Sequence, residues 1–124
     1  MANPNIVSVA SIYGKTVYDT DIAATAASLV VNAASSGKIY KINSLIIANI
    51  DGTDTADITV TLRNAAGGTT YSTIANTVAV PQDATLIIVS KDTSIYLEED
   101  MSLYVLASAA GDLSATCSYE EISE

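Results

Sequence analysis

The chain has 124 residues, and its 5 basic and 14 acidic residues give a formal net charge of −9 at pH 7. It contains no histidine, which excludes catalysis and metal ligation through imidazole. So acidic a chain is also a poor partner for the phosphate backbone of nucleic acids. Its one cysteine, Cys117, excludes an intrachain disulfide and a cysteine-based zinc site, and is typical of assembly in a reducing cytoplasm. No apolar run approaches the ~18 residues of a membrane span, so we expect neither nucleic-acid nor membrane binding.

The N-terminal residues 1–5 are polar and show no periodicity. We expect them to form a flexible N-terminal arm ahead of a single β-sandwich domain over residues 6–124, whose first strand lies at residues 6–12. Two interpretations of the arm stay open, because it either remains loose or becomes ordered on a neighbouring molecule. Asn3, Pro4 and Asn5 are therefore candidate interface residues.

Residues 21–34 are rich in alanine and fit two structures. One interpretation is a helix with an apolar stripe formed by Ile22, Ala26, Leu29, Val30 and Ala33. The alternative is a strand at residues 28–33 that leads into a hairpin. We favour the strand, because its Leu-Val-Val-Asn core suits a strand better than a helix and the rest of the chain is rich in β-branched residues.

The remaining chain alternates strand patterns with turn signals. In residues 57–63, Ile and Val alternate with Asp and Thr, and residues 113–120 repeat this pattern, which is typical of antiparallel strands with one buried face. Residues 86–89 are apolar on both faces and predict either a central strand or a strand with one face against a partner subunit. Gly, Asp and Ser turns recur every 8–12 residues or so. We therefore predict an all-β fold, an antiparallel two-sheet β-sandwich, jelly-roll-like, with about eight or nine strands.

The pattern of the acidic residues and of the single cysteine indicates turns and a buried core position rather than a catalytic site. Asp51, Asp54 and Asp57 lack the spacing of a calcium loop and instead predict a solvated hairpin loop, in which Asp and Gly supply the turn geometry. The acidic residues 98–100 lie at a predicted turn between strands. Cys117 lies on the apolar face of the last strand and has no histidine to activate it. We therefore expect no catalytic residues, no metal, no cofactor and no enzyme.

Tyrosine is the only aromatic residue type, with seven copies. Tyr40, Tyr96 and Tyr104 lie opposite the apolar residues of their predicted strands, so we expect them to be exposed. Exposed tyrosines anchor protein partners or stack on sugars, whereas the simpler interpretation is a ring half covered at a strand face. We assign these three tyrosines as candidate interface residues together with Asn3, Pro4 and Asn5.

Several segments resemble small virion structural proteins of tailed bacteriophages, notably phages of marine cyanobacteria. The resemblance covers most of residues 38–122 and rests on IDGT at 50–53, ADITV at 56–60, VPQDATL at 80–86, KDTSIYLEED at 91–100 and CSYEEI at 117–122. In related sequences the corner formed here by Glu99 and Asp100 often contains an additional glycine, which this chain lacks.

The resemblance implies a capsid decoration (cement) protein that binds the outer face of the mature shell and bridges coat subunits. Its implied partners are the major capsid protein and copies of itself, in a homotrimer or another homo-oligomer, with no small-molecule substrate. Its implied location is the capsid exterior of the virion, after assembly in the host cytoplasm. The alternatives are a neck, baseplate or fibre-associated virion adaptor, and a carbohydrate-binding module for host attachment.

Overall fold

The computed structural model describes residues 3–124, which form nine strands and one 3₁₀ turn at Lys91–Thr93. The strands are β1 (Ser11–Asp19), β2 (Ala27–Asn32), β3 (Lys38–Asn49), β4 (Ala56–Arg63), β5 (Thr70–Val80), β6 (Thr85–Val89), β7 (Ile95–Leu97), β8 (Met101–Ala107) and β9 (Leu113–Ser123). No helix in the described part of the chain has the length and apolar character needed to cross a membrane.

The strands form two antiparallel sheets with the order of a jelly roll. Sheet A has the order β1-β9-β3-β6, and β7 also pairs with β3; sheet B has the order β2-β8-β4-β5. The strand pairings follow one another outward from the β4–β5 hairpin: β4 with β5, β3 with β6 and β7, β2 with β8, and β1 with β9. Together they form one long hairpin that is folded over on itself. The predicted all-β, two-sheet, jelly-roll-like fold is therefore confirmed.

The core lies between the two sheets and follows the alternation of the strands. Ile58 and Val60 of β4 point inward beside Val105 of β8, and they face sheet A, where Leu45 and Ile47 are fully buried. Burying each such side chain contributes about 1.5–3 kcal/mol of transfer free energy. A bulge between Ile42 and Ser44 shifts the alternation in β3, so residues before and after it reach the same core.

The structure corrects two local expectations and resolves a third. The first strand begins at Ser11 rather than at residue 6, because its pairing with β9 ends where Ser11 meets Ser123. The alternative left open over residues 21–34 is resolved as a strand, β2, whose Leu29 and Val30 enter the core. The central position predicted for residues 86–89 is wrong, because β6 lies at the edge of sheet A and Ile87 is 61% exposed.

The sandwich has two ends that we name by their residues. The arm end holds the N-terminal segment (residues 3–10), the start of β1, β3, β5 and β8, and the loops at residues 33–37, 64–69 and 98–100. The Asp end holds the loops at residues 20–26, 50–55, 81–84 and 108–112. The candidate residues described below are located relative to these two ends.

Candidate functional site

A buried carboxylate joins three strands at the arm end. Glu121 of β9 lies between Tyr13 of β1 and Tyr40 of β3 and is only 6% exposed. Its two oxygens accept hydrogen bonds from Lys15 and from Lys38, whose Nζ lies 2.6 Å from Oε1. These hydrogen bonds lower the pKa of Glu121 and raise the pKa of both lysines.

Tyr40 lies on the inner face of sheet A, contrary to the expectation that it is exposed opposite the apolar residues. It stacks on Tyr119 with ring centroids 5.2 Å apart and packs against the core, and burial raises the pKa of both phenols. The reason is the phase of β3: Tyr40 shares a face with Ile42, while Ile39 points to the other face. The simpler interpretation of a half-covered ring is the one that fits Tyr40.

Tyr104 and Tyr96 lie on two other surfaces. Tyr104 is half-buried on the outer face of sheet B, with the Arg63 guanidinium 4.8 Å above its ring. A Cβ added at Gly67, whose φ is +82°, would overlap the Tyr104 hydroxyl, so the loop closes tightly over the ring. Tyr96 is 40% exposed on the outer face of sheet A, beside Lys41. The three tyrosines therefore share the arm-end half of the sandwich but form no common platform.

Residues 3–5 of the predicted arm lie against the sandwich. The Asn3 side-chain amide donates to Glu98, the Asn5 backbone N–H donates to Glu124 Oε1 at 2.6 Å, and Pro4 is buried. Met1 and Ala2, the rest of the predicted arm, lie outside the described residues.

The N-terminal segment runs across the arm end, close to a small apolar patch. Ile39 and Ile122 are neighbours across β3 and β9, and both are buried although neither belongs to the main core. The segment joins β1 at Ala10, whose N–H donates to Ser123 O at 2.9 Å. Its anchors at Glu98 and Glu124 therefore place residues 3–5 at the end of the sheet where this patch lies.

The Asp end holds carboxylates that serve the loops. Asp51 Oδ1 accepts from the N–H and the hydroxyl of Thr53, at 2.9 and 2.7 Å, which lowers its pKa. Asp21 Oδ1 accepts from the N–H of Gly111 at 2.7 Å. Desolvation, followed by its hydrogen bond with Asp51, raises the pKa of Asp112. The turn role predicted for Asp51 is confirmed, and within residues 3–124 no group of three or more acidic or cysteine side chains is arranged to hold a metal ion.

The acidic corner at residues 98–100 is a turn between β7 and β8. Asp100 has a left-handed backbone, with φ at 64°, and its Oδ1 accepts from the Ala65 N–H at 3.1 Å. This conformation is one that glycine favours.

Two further features bear on chemistry. A shallow cleft on the outer face of sheet B is lined in part by Asp57, Thr59, Thr77 and Ser108, and the hydroxyls of Thr59 and Ser108 already accept backbone hydrogen bonds at 3.0 and 2.9 Å. Cys117 is fully buried, and burial raises the pKa of its thiol to about 12. The prediction that Cys117 is a small buried apolar residue is confirmed.

Basic and aromatic residues separate along the strands, whereas acidic residues lie at both ends, six of them in the arm-end half: Glu98, Glu99, Asp100, Glu120, Glu121 and Glu124. Seven acidic residues and no basic residue of the described chain lie at or next to the loops of the Asp end: Asp19, Asp21, Asp51, Asp54, Asp57, Asp83 and Asp112. Six of the seven tyrosines lie in the arm-end half: Tyr13, Tyr40, Tyr71, Tyr96, Tyr104 and Tyr119. Four of the five basic residues lie there too: Lys15, Lys38, Lys41 and Arg63. The two ends of the sandwich therefore differ in composition, and we call this difference the polarity of the sandwich.

No protein-family model matches the chain, and no curated protein matches its sequence. Solved structures do match. A structure of Bacillus endospore appendages, described as a novel family of disulfide-linked pili, has a TM-score of 0.53 and 21% identity, with 91% of this chain and 88% of that chain covered. A structure of the T13 viral particle of IBDV has a TM-score of 0.49 and 11% identity, with 94% of this chain and 32% of that chain covered.

The likeness to the spore appendage structure shows a shared fold over nearly the whole of both chains. The β-fold that the phage resemblance implied is therefore found in the structure, whereas the phage family itself stays a prediction. The chain has no second cysteine for the links named in that description, and Cys117 is buried.

Sequence reasoning missed Glu121 as a site residue, although a signal was present. Leu113, Ala115, Cys117 and Tyr119 alternate onto the inner face, and Glu121 continues the same phase. An acidic residue in the phase of a buried face requires a cationic partner. That partner comes from strands 106 and 83 residues away in the chain, for Lys15 and Lys38 respectively.

Proposed function

We propose that this chain is a decoration protein of a phage capsid, which binds the outer face of the mature shell and stabilises it by bridging coat subunits. The observation that carries the proposal is the polarity of the sandwich. Tyrosines, basic residues and the N-terminal segment gather at the arm end, which also holds six acidic residues, whereas the Asp end of the described chain holds seven acidic residues and no basic residue. Aromatic residues and arginine are enriched at protein interfaces, whereas lysine and acidic residues are depleted there, so the tyrosines are what assign the arm end as the interface.

This polarity supports one orientation on the shell. The arm end contacts the coat protein through Tyr96, through residues 3–5 and through neighbouring side chains. The Asp end faces solvent, where its negative charge lies farthest from the packaged nucleic acid and keeps particles apart. Each contact is weak, and the symmetry of the shell multiplies the contacts. Binding to the mature lattice alone stabilises that lattice by mass action.

A second candidate, a subunit or adaptor of a virion fibre, is favoured by one observation. The same fold over 91% of this chain occurs in a structure described as a pilus. Such a role also needs repeated protein contacts. With its single cysteine buried, this chain would make those contacts without disulfide links.

The test of decoration is binding to purified mature shells that lack the chain. We expect the protein to co-sediment with the shells and to raise their melting temperature. Tyr96→Ser at the arm end weakens binding, whereas Ile50→Ser, an exposed apolar residue at the Asp end, leaves it unchanged. Absence of binding would overturn the proposal, and loss of binding in Ile50→Ser alone would reverse the orientation.

A further inference from the structure

Strand β1 forms a long, regular and open edge of sheet A. It pairs with β9 without interruption from Ser11 to Asp19, and no described strand pairs with its other side. Its exposed side chains include Ile12 at 53%, Tyr13 at 59% and Tyr18 at 69%. An edge of this kind presents a row of unpaired backbone groups that can pair with another strand.

The other edges of the sandwich carry features that discourage pairing. β5 has three register shifts and a left-handed residue, Thr77, with φ at 47°. β6 and β7 are short and separated by the 3₁₀ turn, and β2 has six residues and a register shift. β1 has no bulge and no proline. Its single lysine, Lys15, is bound to Glu121 and so does not act as a free charge guarding the edge.

We propose that β1 pairs antiparallel with β1 of a second copy, around a two-fold axis at Lys15, so that the two A sheets become one. A continuous sheet requires paired residues to share a face, so odd positions pair with odd and even with even. Among these registers, the one centred on Lys15 pairs all nine residues of β1. It places Ile12 opposite Tyr18 of the partner subunit, and Tyr13 opposite Val17 of the partner subunit.

Charge favours the antiparallel over the parallel orientation of the two copies. Two chains of net charge −9 repel each other, and a parallel arrangement would bring both Asp ends together. The antiparallel pairing places the Asp ends at opposite poles. The two Lys15 side chains meet at the axis, but each is already paired with its own Glu121.

The pairing goes beyond the proposed function and does not depend on it. A dimer of this kind presents at each pole the arm end of one subunit beside the Asp end of the partner subunit. The dimer itself is measured without shells, so its test stands apart from the test of decoration.

The experiment compares solution masses by light scattering and sedimentation equilibrium. We expect the wild type to have twice the 12.8 kDa mass of the chain. Ile12→Lys alone and Tyr18→Glu alone each raise the dimer dissociation constant, on the order of tenfold or more. The double variant I12K/Y18E restores the dimer, because the introduced ammonium faces the introduced carboxylate in both symmetric pairs.

A matched control keeps the result specific to β1. Tyr71→Lys changes an exposed tyrosine on the bulged edge strand β5 and leaves the dimer intact. Circular dichroism and melting confirm that each variant is folded. A wild type that stays monomeric at the highest concentration tested overturns this inference, as does a dimer that survives both single variants. A dimer that fails to bind shells contradicts the proposed function alone, and a monomer that binds them contradicts the dimer alone.

Discussion

The two ends of the sandwich use their carboxylates in different ways. At the arm end, Glu121 is buried and joins β1, β9 and β3 through Lys15 and Lys38. At the Asp end, Asp51 and Asp21 accept hydrogen bonds from backbone N–H groups of the loops. The first arrangement is buried and joins three strands, whereas the second lies in exposed loops. We therefore expect side-chain changes to destabilise the fold more at the arm end than at the Asp end.

The largest effect on the free energy of unfolding is expected at glycines with positive φ, and each end of the sandwich has one for comparison. Gly67→Ala at the arm end lowers the free energy of unfolding by about 2–4 kcal/mol, because left-handed strain adds to the overlap of the new Cβ with the Tyr104 hydroxyl. Gly111→Ala at the Asp end meets no neighbouring atom and costs about 1–2 kcal/mol of strain. Urea denaturation measures both, and equal losses would contradict the tight closure over Tyr104.

The next effect tests the buried carboxylate. Glu121→Gln removes the charge that Lys15 and Lys38 share, and we expect it to lower the free energy of unfolding by about 1–2 kcal/mol, since the lysines are partly solvated. Glu120→Gln, one residue earlier on the outer face, serves as the matched control and changes stability by less than about 0.5 kcal/mol. A Glu120 variant as damaging as the Glu121 variant would refute the role given to the buried pairings.

The same carboxylate sets a pH window. The folded-state pKa of Glu121 lies below the ordinary value of 4.5, so its contribution is complete above that value and is lost as pH falls through the folded-state pKa. The pKa values of Lys15 and Lys38 lie above 10.5, so their contribution is lost as pH rises beyond that range. Melting temperatures of wild type and Glu121→Gln should therefore converge at strongly acidic and strongly alkaline pH, and a constant difference would contradict the ion pairs.

At the Asp end, the pKa of one carboxyl group is shifted in the opposite direction to that of Glu121. The pKa of Asp112 is raised above 3.8, so its contribution to stability is present below that value and is lost as pH rises through the folded-state pKa. Asp112→Asn should consequently raise the melting temperature at neutral pH and have less effect near pH 3. Asp54→Asn, at a neighbouring exposed aspartate, provides the comparison. A lower melting temperature for Asp112→Asn at neutral pH would contradict the destabilising contribution assigned to the ionised Asp112 carboxylate.

The smallest expected effect concerns the thiol labelling of a residue that lies between the two ends. Cys117 pairs with Val17 and Leu45 in the middle of sheet A, and its thiol has a pKa of about 12. We expect no labelling by a thiol reagent at pH 8 in the native protein and complete labelling in urea. Its labelling rate then reports global opening, so Gly67→Ala should accelerate it more than Gly111→Ala. Rapid labelling of the native wild type would show that the middle of the sheet opens freely.

Much of the fold could be predicted because strand alternation is a local signal. The phases of Ile58 and Val60 in β4 and of Ala115 and Cys117 in β9 follow directly from the sequence and match the two faces. The position of Tyr40 could not be predicted in this way. The bulge after Ile42 shifts the phase of β3, and a shift of one residue moves every side chain to the opposite face.

The candidate site was predictable only in part, for a related reason. The exposure of Tyr96 follows from its own strand, and it is confirmed. The pairing of Glu121 with Lys15 depends on β1 lying beside β9, which is a property of the whole jelly roll. The polarity between the arm end and the Asp end likewise emerges only when loops distant in sequence are brought to the same end.

The central claim is that this chain is a component of a capsid surface. The most direct test is quantitative mass spectrometry of purified virions, in which the copy number of this chain is measured relative to the major coat protein. Our account predicts a copy number comparable to that of the coat protein. A handful of copies per particle would instead place the chain in a tail, neck or fibre, and its absence from the particle would contradict the account.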